Sequence, residues 1–568
     1  MPSHLTAPLR RLRALGTLVA IMTALTALLA GPLAGPAAAD SYTPISGAGS
    51  TWAENAVDEW RRAVNQYGMR ISYAGTGSSD GRRQFLSGTV DFAVSDIPFQ
   101  THPTDGSAAE RPGSGSYAYM PIVAGGTVFM YHLTVNGKRV TNLRLSGAVV
   151  TKIFTGAIKT WDDPVIKADN PGLQLPHRTI VPVVRSDGSG STAQFTMWMA
   201  AQHKSLWNAY CAKVGRSGAC GQTSYYPTVS GMIAQSGDLG VAGYIAQNYG
   251  EGAIGYVNYS YALNAHYPVA KVLNHAGYYT EPTPKNVAVS LLKAKINTNK
   301  SSADYLTQQL NGVYNDTDKR NYPLSSYSYM ILPLKVQGTF TKDKGKTLGA
   351  FSYYFMCQGQ QQAPSLGYSP LPINLVKAGF DQIRRIPGVR AQNINIKNCN
   401  NPTFTASGRN KLAETAPYPS PCDKQGATAC TTGSGGAKSS TRNGSSGDGT
   451  TSGGSTGGTT TDGTGTTTTG GAGGAAQPSV DPDTGQALTS GGTGTASGGS
   501  GTAAAAAADG TIALAQPVAV STQHGWTTTQ TLMLLAAVLI LGLLLLPSIA
   551  SRLITSRTND RQDEVSSR

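Results

Sequence analysis

Three short turns rich in glycine, serine and threonine constrain the fold of this chain most. They occupy 46–52 (SGAGSTW), 73–81 (YAGTGSSDG) and 185–192 (RSDGSGST), and a helical pattern follows each. The third turn joins the apolar run 180–184 to the amphipathic stretch 193–202. An apolar strand, a small-residue turn and a helix N-terminus in this order are typical of α/β folds. The first N–H groups of a helix have no internal partner, so each turn is either an anion site or an ordinary helix cap.

Apolar runs alternate with helical patterns from residue 41 to about residue 399. The stretch 54–67 predicts a helix because its apolar residues fall on one face; they are Ala56, Val57, Trp60, Val64 and Tyr67. The predicted strands are 70–74, 90–94, 123–131, 180–184 and 253–256. This alternation predicts an α/β architecture with mostly parallel strand pairing.

Both ends of the 568-residue chain predict an exported protein that is held at a membrane. Residues 1–39 contain arginines, an apolar run and a small-residue cleavage site before Asp40, which together predict a signal peptide. Residues 531–550 are almost wholly apolar and long enough to cross a bilayer. Arginines follow, so 551–568 is predicted to be a cytoplasmic tail. We therefore expect a single-pass protein of the cell membrane whose folded part is extracellular.

The composition changes near residue 431. From 431 to 530 the chain is mainly Gly, Ser, Thr and Ala, which predicts a disordered linker because so few apolar residues cannot form a core. Residues 40–400 are predicted to be the folded domain, and 401–430 a cysteine-containing extension. The net charge of +14 is mild for this length, and no dense Lys/Arg cluster occurs. Nucleic acid is therefore not an expected partner.

The six cysteines all lie between the two hydrophobic segments, so disulfides are expected. Cys211 with Cys220, and Cys422 with Cys430, would close short loops. Cys357 with Cys399 would then remain, but six cysteines allow 15 connectivities and the pairing stays open at this point. Neither a C-x-x-C spacing nor a neighbouring histidine pair occurs, so no metal site is predicted.

Asp96 follows the apolar run 90–94, which places a carboxylate at the C-terminal end of a predicted strand. Ligands of α/β proteins bind at such ends, although a helix cap or a surface turn is the simpler alternative. An ionised carboxylate can only accept hydrogen bonds. Beside a bound anion it favours one that carries a proton, as hydrogen phosphate does, and disfavours sulfate. Arsenate is permitted by the same argument.

Seven motifs occur in order between about residues 45 and 385: GAGSTW, YAGTGSSDG, VDFAVSDIP, PIVAGGTVFMY, VVRSDGSGST, GAIGYVNYSYA and LGYSPLP. Together they resemble the phosphate-binding proteins that serve ABC-type phosphate importers, in a membrane-anchored Gram-positive form. The resemblance implies a two-lobed fold of the periplasmic-binding-protein class, type II, with crossovers near Thr134 and within 325–332. Lobe one would comprise 41–134 and 326–400, and lobe two 135–325.

The resemblance also implies the ligands of the anion. They are Thr51, the backbone N–H of Trp52, Ser78, Asp96, Arg185, Ser189, the N–H of Gly190, and Ser191. It implies inorganic phosphate as the ligand, an ABC-type permease as the partner, and binding without turnover. No cofactor and no catalytic residue are expected, and we expect a monomer.

Three residues depart from the family pattern. Trp52 stands where phenylalanine is usual, and Ser191 where threonine is usual, so the backbone N–H and the hydroxyl are retained. Asp80 stands where glycine is common. Its carboxylate would either weaken the anion site or pair with Arg82 or Arg83.

Two functions of other classes fit parts of the sequence. Residues 77–81 match G-x-S-x-G between a strand and a helix, the context of a hydrolase nucleophile. Ser79 would then be the nucleophile, and His266 or His275 the base. The linker and the membrane segment also fit a phosphate-sensing or adhesive surface protein with the same fold.

Overall fold

The structure, a computed structural model, describes residues 41–216, 220–405 and 407–441. The predicted signal peptide, the predicted membrane segment 531–550, the tail and most of the predicted linker lie outside the described residues. Within the described ranges, no helix is both long and apolar enough to cross a membrane.

Strands and helices alternate along the chain, as the sequence predicts. In chain order the strands are β1 (Ile45–Gly49), β2 (Ile71–Ala74), β3 (Phe92–Ser95), β4 (Tyr117–Tyr131), β5 (Thr134–Val135), β6 (Lys138–Arg139), β7 (Arg144–Leu145), β8 (Val181–Arg185), β9 (Ile233–Gln235), β10 (Ala253–Asn258), β11 (Val269–Leu273), β12 (Tyr279–Thr280), β13 (Lys295–Ile296), β14 (Gln308–Gln309) and β15 (Ser325–Pro333). The α-helices are α1 (Glu54–Asn65), α2 (Ser78–Leu86), α3 (Gly147–Phe154), α4 (Pro164–Asp169), α5 (Gly190–Gln202), α6 (Lys204–Lys213), α7 (Gly237–Ala246), α8 (Tyr259–Asn264), α9 (Pro284–Ser290), α10 (Asn311–Tyr314), α11 (Lys342–Cys357), α12 (Ile373–Ile383) and α13 (Lys411–Glu414).

The main sheet is mixed rather than mostly parallel. Its strand order is β2-β1-β3-β15-β4-β10-β8-β9, and β11 also pairs with β4. At one end β1 is parallel to β2 and β3, and at the other end β8 is parallel to β9 and β10. In the middle, β15 is antiparallel to both β3 and β4, and β4 is antiparallel to β10. The prediction of mostly parallel pairing is therefore wrong for the centre, because β4 and β15 run through it in opposite directions.

Strands β4 and β15 connect two halves of the sheet. We call the half with β1, β2 and β3 lobe one, and the half with β8, β9 and β10 lobe two. Gly126 of β4 still lies opposite Ser325 of β15, whereas the next residue, Thr127, lies opposite Asn258 of β10. A Cβ atom on Gly126 would lie 2.2 Å from Cβ of Pro282, so only glycine fits at this crossing. The chain thus passes from the half with β15 to the half with β10 between Gly126 and Thr127 of β4.

Helix α1 shows how the amphipathic pattern builds the core of lobe one. Its buried residues are Ala56, Val57, Trp60 and Val64. The Trp60 ring stacks on Phe355 of α11 with the ring centroids 4.8 Å apart. Burying a large apolar side chain contributes about 1.5–3 kcal/mol to stability. Tyr67, the last residue of the predicted face, is 52% exposed because the helix ends at Asn65.

The C-terminal segment, residues 401–405 and 407–441, packs on both lobes. Thr403 donates to the carbonyl of Pro370 at 2.8 Å on the lobe-one side. On the lobe-two side, Arg320 donates to the carbonyl of Ala413 at 3.0 Å. Ser434 is fully buried. The predicted linker start at 431 therefore falls inside a packed stretch, because serine and glycine residues here bind the backbone of lobe two.

Three disulfides join all six cysteines. They are Cys211–Cys220, Cys357–Cys399 and Cys422–Cys430. Of the 15 possible connectivities, the structure has the one formed by the two short loops and the remaining pair. The expectation of disulfides is confirmed.

Candidate anion site between the lobes

Four helix N-termini converge on the space between the lobes. Because parallel strands end at one edge of a sheet, the turns after β1, β2 and β3 meet in lobe one, and those after β8 and β9 meet in lobe two. The turns after β1, β2, β8 and β9 lead into α1, α2, α5 and α7, respectively. Three of them are the predicted turns, whereas the turn before α7 was not predicted. Helix N-termini carry partial positive charge and free N–H groups, which suits an anion.

The predicted second and third turns touch each other across the lobes. The N–H of Ser79 donates to the carbonyl of Gly188 at 2.9 Å. A Cβ atom on Gly190 would lie 2.3 Å from Oδ2 of Asp96 and 2.5 Å from Oγ of Ser78. Glycine at 190 therefore lets the start of α5 approach lobe one closely. The structure has the lobes in contact, with three of the predicted ligands adjacent.

Asp96 is buried at the end of β3 and accepts hydrogen bonds from three serine hydroxyls. Ser50 Oγ lies 2.8 Å from Oδ1 and 2.9 Å from Oδ2. Ser328 Oγ lies 2.8 Å from Oδ1, and Ser78 Oγ 3.3 Å from Oδ2. Burial raises the pKa of Asp96 to about 6, although the hydrogen bonds from Ser50 and Ser328 act to lower it. The carboxylate is thus ionised at neutral pH and is close to its protonated form in mild acid.

Arg185 ends β8 and is almost completely buried between two carboxylates. Its Nε donates to Oδ1 of Asp187 at 2.7 Å, and its Nη2 donates to Oδ2 of the same residue. Its Nη1 donates to Oδ2 of Asp238. Burial acts to lower the pKa of Arg185, but the charges of Asp238 and Asp187 outweigh it and raise that pKa. The guanidinium therefore stays charged, and two of its five N–H groups remain for another acceptor.

Thr51 and Trp52 lie where β1 leads into α1. The Thr51 hydroxyl donates to Oδ2 of Asp238 at 2.6 Å and accepts from the N–H of Asp238 at 3.1 Å. The buried Trp52 ring donates through Nε1 to Oγ1 of Thr127 at 3.1 Å. The indole ring is thus a core group, and only the backbone N–H of Trp52 is left for the role predicted for it.

Helix α5 presents the remaining predicted ligands. The Ser189 oxygen caps the helix by accepting from the N–H of Thr192 at 3.1 Å, which leaves its own O–H proton available. Ser191 Oγ is buried and has no hydrogen-bond partner among the described residues. A buried hydroxyl without a partner is unusual, and it fits a site in which the partner is a ligand.

The sequence and the fold can now be compared with known proteins. A family model described as a PBP superfamily domain matches residues 34–358, more than half of the chain. The phosphate-binding protein PstS of Xylella fastidiosa (strain Temecula1) is 32% identical over 336 residues, which cover 59% of this chain and 83% of that protein. The chain belongs to the PstS family of phosphate-binding proteins. The predicted family, the α/β periplasmic-binding-protein-like fold and the absence of enzymatic function are thereby confirmed.

Other PstS proteins match to a similar extent. PstS of Haemophilus influenzae is 29% identical and covers 58% of this chain and 90% of its own. PstS2 of Mycobacterium bovis is 28% identical, and the match covers 60% of this chain and 87% of that protein. Among solved structures, a phosphate-binding protein from Stenotrophomonas maltophilia is similar with 17% identity and a TM-score of 0.42, covering 59% of this chain and 92% of that one.

Asp80, which stands where glycine is common in the family, is bound by two side chains of its own helix, α2. Its carboxylate pairs with Arg83, and Gln84 donates to it as well. Burial acts to raise the pKa of Asp80, but hydrogen bonds from Arg83, Thr76 and Gln84 lower it overall. Asp80 is therefore a paired surface carboxylate. Arg82, the other predicted partner, instead binds Glu110 at 2.9 Å.

The hydrolase alternative is not supported. Ser79 Oγ accepts from Nη2 of Arg82 at 3.3 Å. Neither His266 nor His275 is a hydrogen-bond partner of Ser79 in the described part of the chain. A serine nucleophile needs such a base within hydrogen-bond reach. No group of His, Cys, Asp or Glu among the described residues is arranged to hold a metal ion.

Five polar residues of the site were not predicted from the sequence. They are Ser50, Asp187, Gln194, Asp238 and Ser328. Ser50 and Asp187 lie inside the predicted turns, so their position in the sequence was a usable signal. Gln194, from the second turn of α5, reaches across to the carbonyl of Asp96 at 2.8 Å. Neither Gln194 nor Asp238 carries a local pattern that distinguishes it from an ordinary helix residue.

Proposed function

We propose that this protein captures inorganic phosphate outside the cytoplasm and delivers it to an ABC-type permease. The observation that carries the proposal is the buried carboxylate of Asp96, held by serine hydroxyls at the junction of the lobes. Known relatives are named phosphate-binding proteins PstS, which supports the same ligand. The proposed ligands are Thr51, Trp52, Ser78, Asp96, Arg185, Ser189, Gly190 and Ser191.

In the proposed mechanism, one set of groups attracts the anion and another group selects which anion is bound. Arg185 and the N-termini of α1, α2 and α5 supply positive charge and N–H donors to any tetrahedral oxyanion. Asp96 supplies an acceptor, which only an anion that carries a proton can satisfy. Sulfate has no proton at neutral pH, so it would face the Asp96 carboxylate without a hydrogen bond and beside a like charge; a missing hydrogen bond of this kind costs about 1–3 kcal/mol. Phosphate is accepted because its proton meets Asp96.

The location is part of the same proposal. Residues 1–39 would direct export, and 531–550 would anchor the protein in the cell membrane, with 551–568 in the cytoplasm. The Gly/Ser/Thr-rich stretch that follows the folded part would act as a flexible tether, and the protein would work as a monomer. Deletion of 531–550 should release the protein from the membrane fraction into the medium. Retention of the deleted form in the membrane would contradict the anchor.

Calorimetric titration of the full-length protein in detergent tests the function. We expect saturable binding of phosphate and no binding of sulfate at the same concentrations. Arg185→Ala should weaken phosphate binding by at least about tenfold, because a buried charge-assisted hydrogen bond contributes about 1.5–3 kcal/mol. The matched control is Arg178→Ala, since this side chain is 46% exposed and lies 3.5 Å from Glu251. Equal binding of sulfate, or an equal loss in both variants, would refute the proposed site.

A further inference from the structure

Asp238 connects two of the proposed phosphate ligands that lie in different lobes. It belongs to the first turn of α7 in lobe two and is fully buried. Its Oδ2 accepts from the hydroxyl of Thr51 in lobe one at 2.6 Å and from Nη1 of Arg185. Its Oδ1 accepts from the N–H of Asn258 at 2.7 Å. Both oxygens of this carboxylate are thus held by named donors.

The contact between Asp238 and Thr51 occupies the only proton of the Thr51 hydroxyl. A threonine hydroxyl has one proton to donate, and here that proton is directed to Oδ2 of Asp238. The Thr51 hydroxyl oxygen also accepts from the backbone N–H of Asp238 at 3.1 Å. While this arrangement lasts, Thr51 cannot donate to a bound anion. A phosphate oxygen and Oδ2 of Asp238 therefore compete for one proton.

The contact with Arg185 adds an electrostatic cost for an incoming anion. Three of the five guanidinium N–H groups are directed to carboxylates, two to Asp187 and one to Asp238. Asp96 is a third carboxylate at the same place, so one arginine faces three acidic side chains. An anion that enters must overcome this excess of negative charge, and a dianion must do so more than a monoanion.

We propose that Asp238 sets the affinity and the charge preference of the site by competing with phosphate for Thr51 and Arg185. This proposal rests on the proposed function. On binding, a phosphate oxygen takes the Thr51 proton. Asp238 keeps the N–H of Asn258, and it shares the positive charge of Arg185 with the bound phosphate. Asp238 lowers phosphate affinity and lowers it most for the dianion, so it shifts the preference of the site toward the monoanion.

The test is phosphate titration of the full-length wild type and Asp238→Asn, each at about pH 6 and about pH 8. Asparagine keeps an acceptor for Asn258 but loses the charge, so it competes less for Thr51 and Arg185. We expect phosphate to bind Asp238→Asn about fivefold more tightly, the difference between a charged and a neutral hydrogen bond. The gain should be larger at the higher pH, where phosphate is mainly the dianion. A purely structural role for Asp238 would not alter this pH profile.

Other ionisable groups also face Asp238. They are Arg185 and Asp187 after β8, Asp96 after β3, and Glu54 on α1, with the hydroxyls of Tyr261 and Tyr368 nearby. All of them are the same in both proteins, so the difference between the two pH profiles reports Asp238. The matched control is Asp91→Asn. Asp91 is an equally buried carboxylate of lobe one, bound by Ser46 and Lys344, and this variant should bind phosphate as the wild type does.

Each result decides the question. If Asp238→Asn binds phosphate as the wild type does, or more weakly, at both pH values, the competition is refuted while the proposed function stands. If the wild type binds no phosphate, the proposed function fails and the competition fails with it. If Asp238→Asn does not fold, Asp238→Ser replaces it, with the same expected gain and the same refuting result.

Discussion

The selectivity that we propose for the site depends on one property of Asp96, namely that its ionised carboxylate accepts hydrogen bonds and donates none. Asp96→Asn should therefore bind sulfate, because the new amide nitrogen can donate to a sulfate oxygen and the like charge is gone. Phosphate can still donate to the amide oxygen, so its affinity should change less. We expect the phosphate-to-sulfate affinity ratio to fall by at least about tenfold, and calorimetry with both anions measures it. Unchanged discrimination would show that Asp96 does not select the ligand.

The same discrimination should depend on pH in the wild type. Burial raises the pKa of Asp96 to about 6, so the carboxylate is ionised above that value and protonated below it. A protonated carboxyl can donate, and sulfate then becomes an acceptable ligand. The phosphate-to-sulfate ratio should be high near neutral pH and should fall as the pH drops through about 6. Asp96→Asn serves as the control, since its ratio should stay low and flat across the same range.

At this scale the sequence predicted residues that lie in recognisable turns and missed those brought in by the fold. Asp96 and Arg185 follow apolar runs, so their place at strand ends could be inferred. Asp238 is separated by 53 positions from Arg185 and by 187 from Thr51. Asp238 meets Thr51 only because the two lobes are in contact in the folded protein. Local patterns cannot encode such a contact, because it depends on how two halves of the sheet meet.

Among the elements, long apolar strands and amphipathic helices were predicted correctly to within a few residues at most ends. Strand 180–184 became Val181–Arg185, and 253–256 became Ala253–Asn258. The direction of strand pairing was predicted less well. The alternation of strands and helices describes each lobe, where pairing is parallel. It carries no information about β4 and β15, the two strands that connect the lobes and pair antiparallel with each other. Two-residue strands such as β5 and β6 have no periodicity to detect.

The C-terminal segment is held to lobe two by a buried arginine, which gives a test at the scale of elements. Arg144 is 2% exposed, lies over the Tyr279 ring at 4.5 Å, and donates through Nη1 to the carbonyl of Cys422 at 2.9 Å. Arg144→Met keeps much of the packing but leaves buried carbonyls without their donor. It should lower the free energy of unfolding by about 1–3 kcal/mol, measured by denaturant titration.

The matched control for Arg144 lies on the C-terminal segment itself. Arg409 is 69% exposed and its Nη1 is 3.7 Å from Glu414, so Arg409→Met should change stability by no more than about 0.5 kcal/mol. If the two variants were equally stable, the packing of the segment through Arg144 would contribute nothing measurable. A loss confined to Arg144→Met would show that the segment is part of the folded structure.

For the molecule as a whole, the main consequence of the fold is that the proposed phosphate ligands are also the groups at which the lobes meet. Thr51, Ser78 and Asp96 come from lobe one, and Arg185, Ser189 and Ser191 from lobe two. No lobe holds both the selecting carboxylate and the arginine. The proposed function therefore requires the two crossover strands to bring the lobes together, and variants that hold the lobes apart should lose affinity for every oxyanion.

The extent of the folded part is the last prediction, and the sequence and the structure differ on it. The sequence predicted a folded domain that ends at residue 400 and a linker that starts at 431, but the structure has Gly435 donating to Glu281 at 2.8 Å and Thr441 bound to Thr141 at 2.9 Å. Limited proteolysis of the full-length protein should therefore leave a resistant core that retains Thr441. Cys422–Cys430 should stay inside it, and denatured protein should show no free thiols. Mass spectrometry of the resistant core tests this prediction. If the protease cut before Cys422 and the remaining protein stayed resistant, the C-terminal segment would not belong to the stable fold.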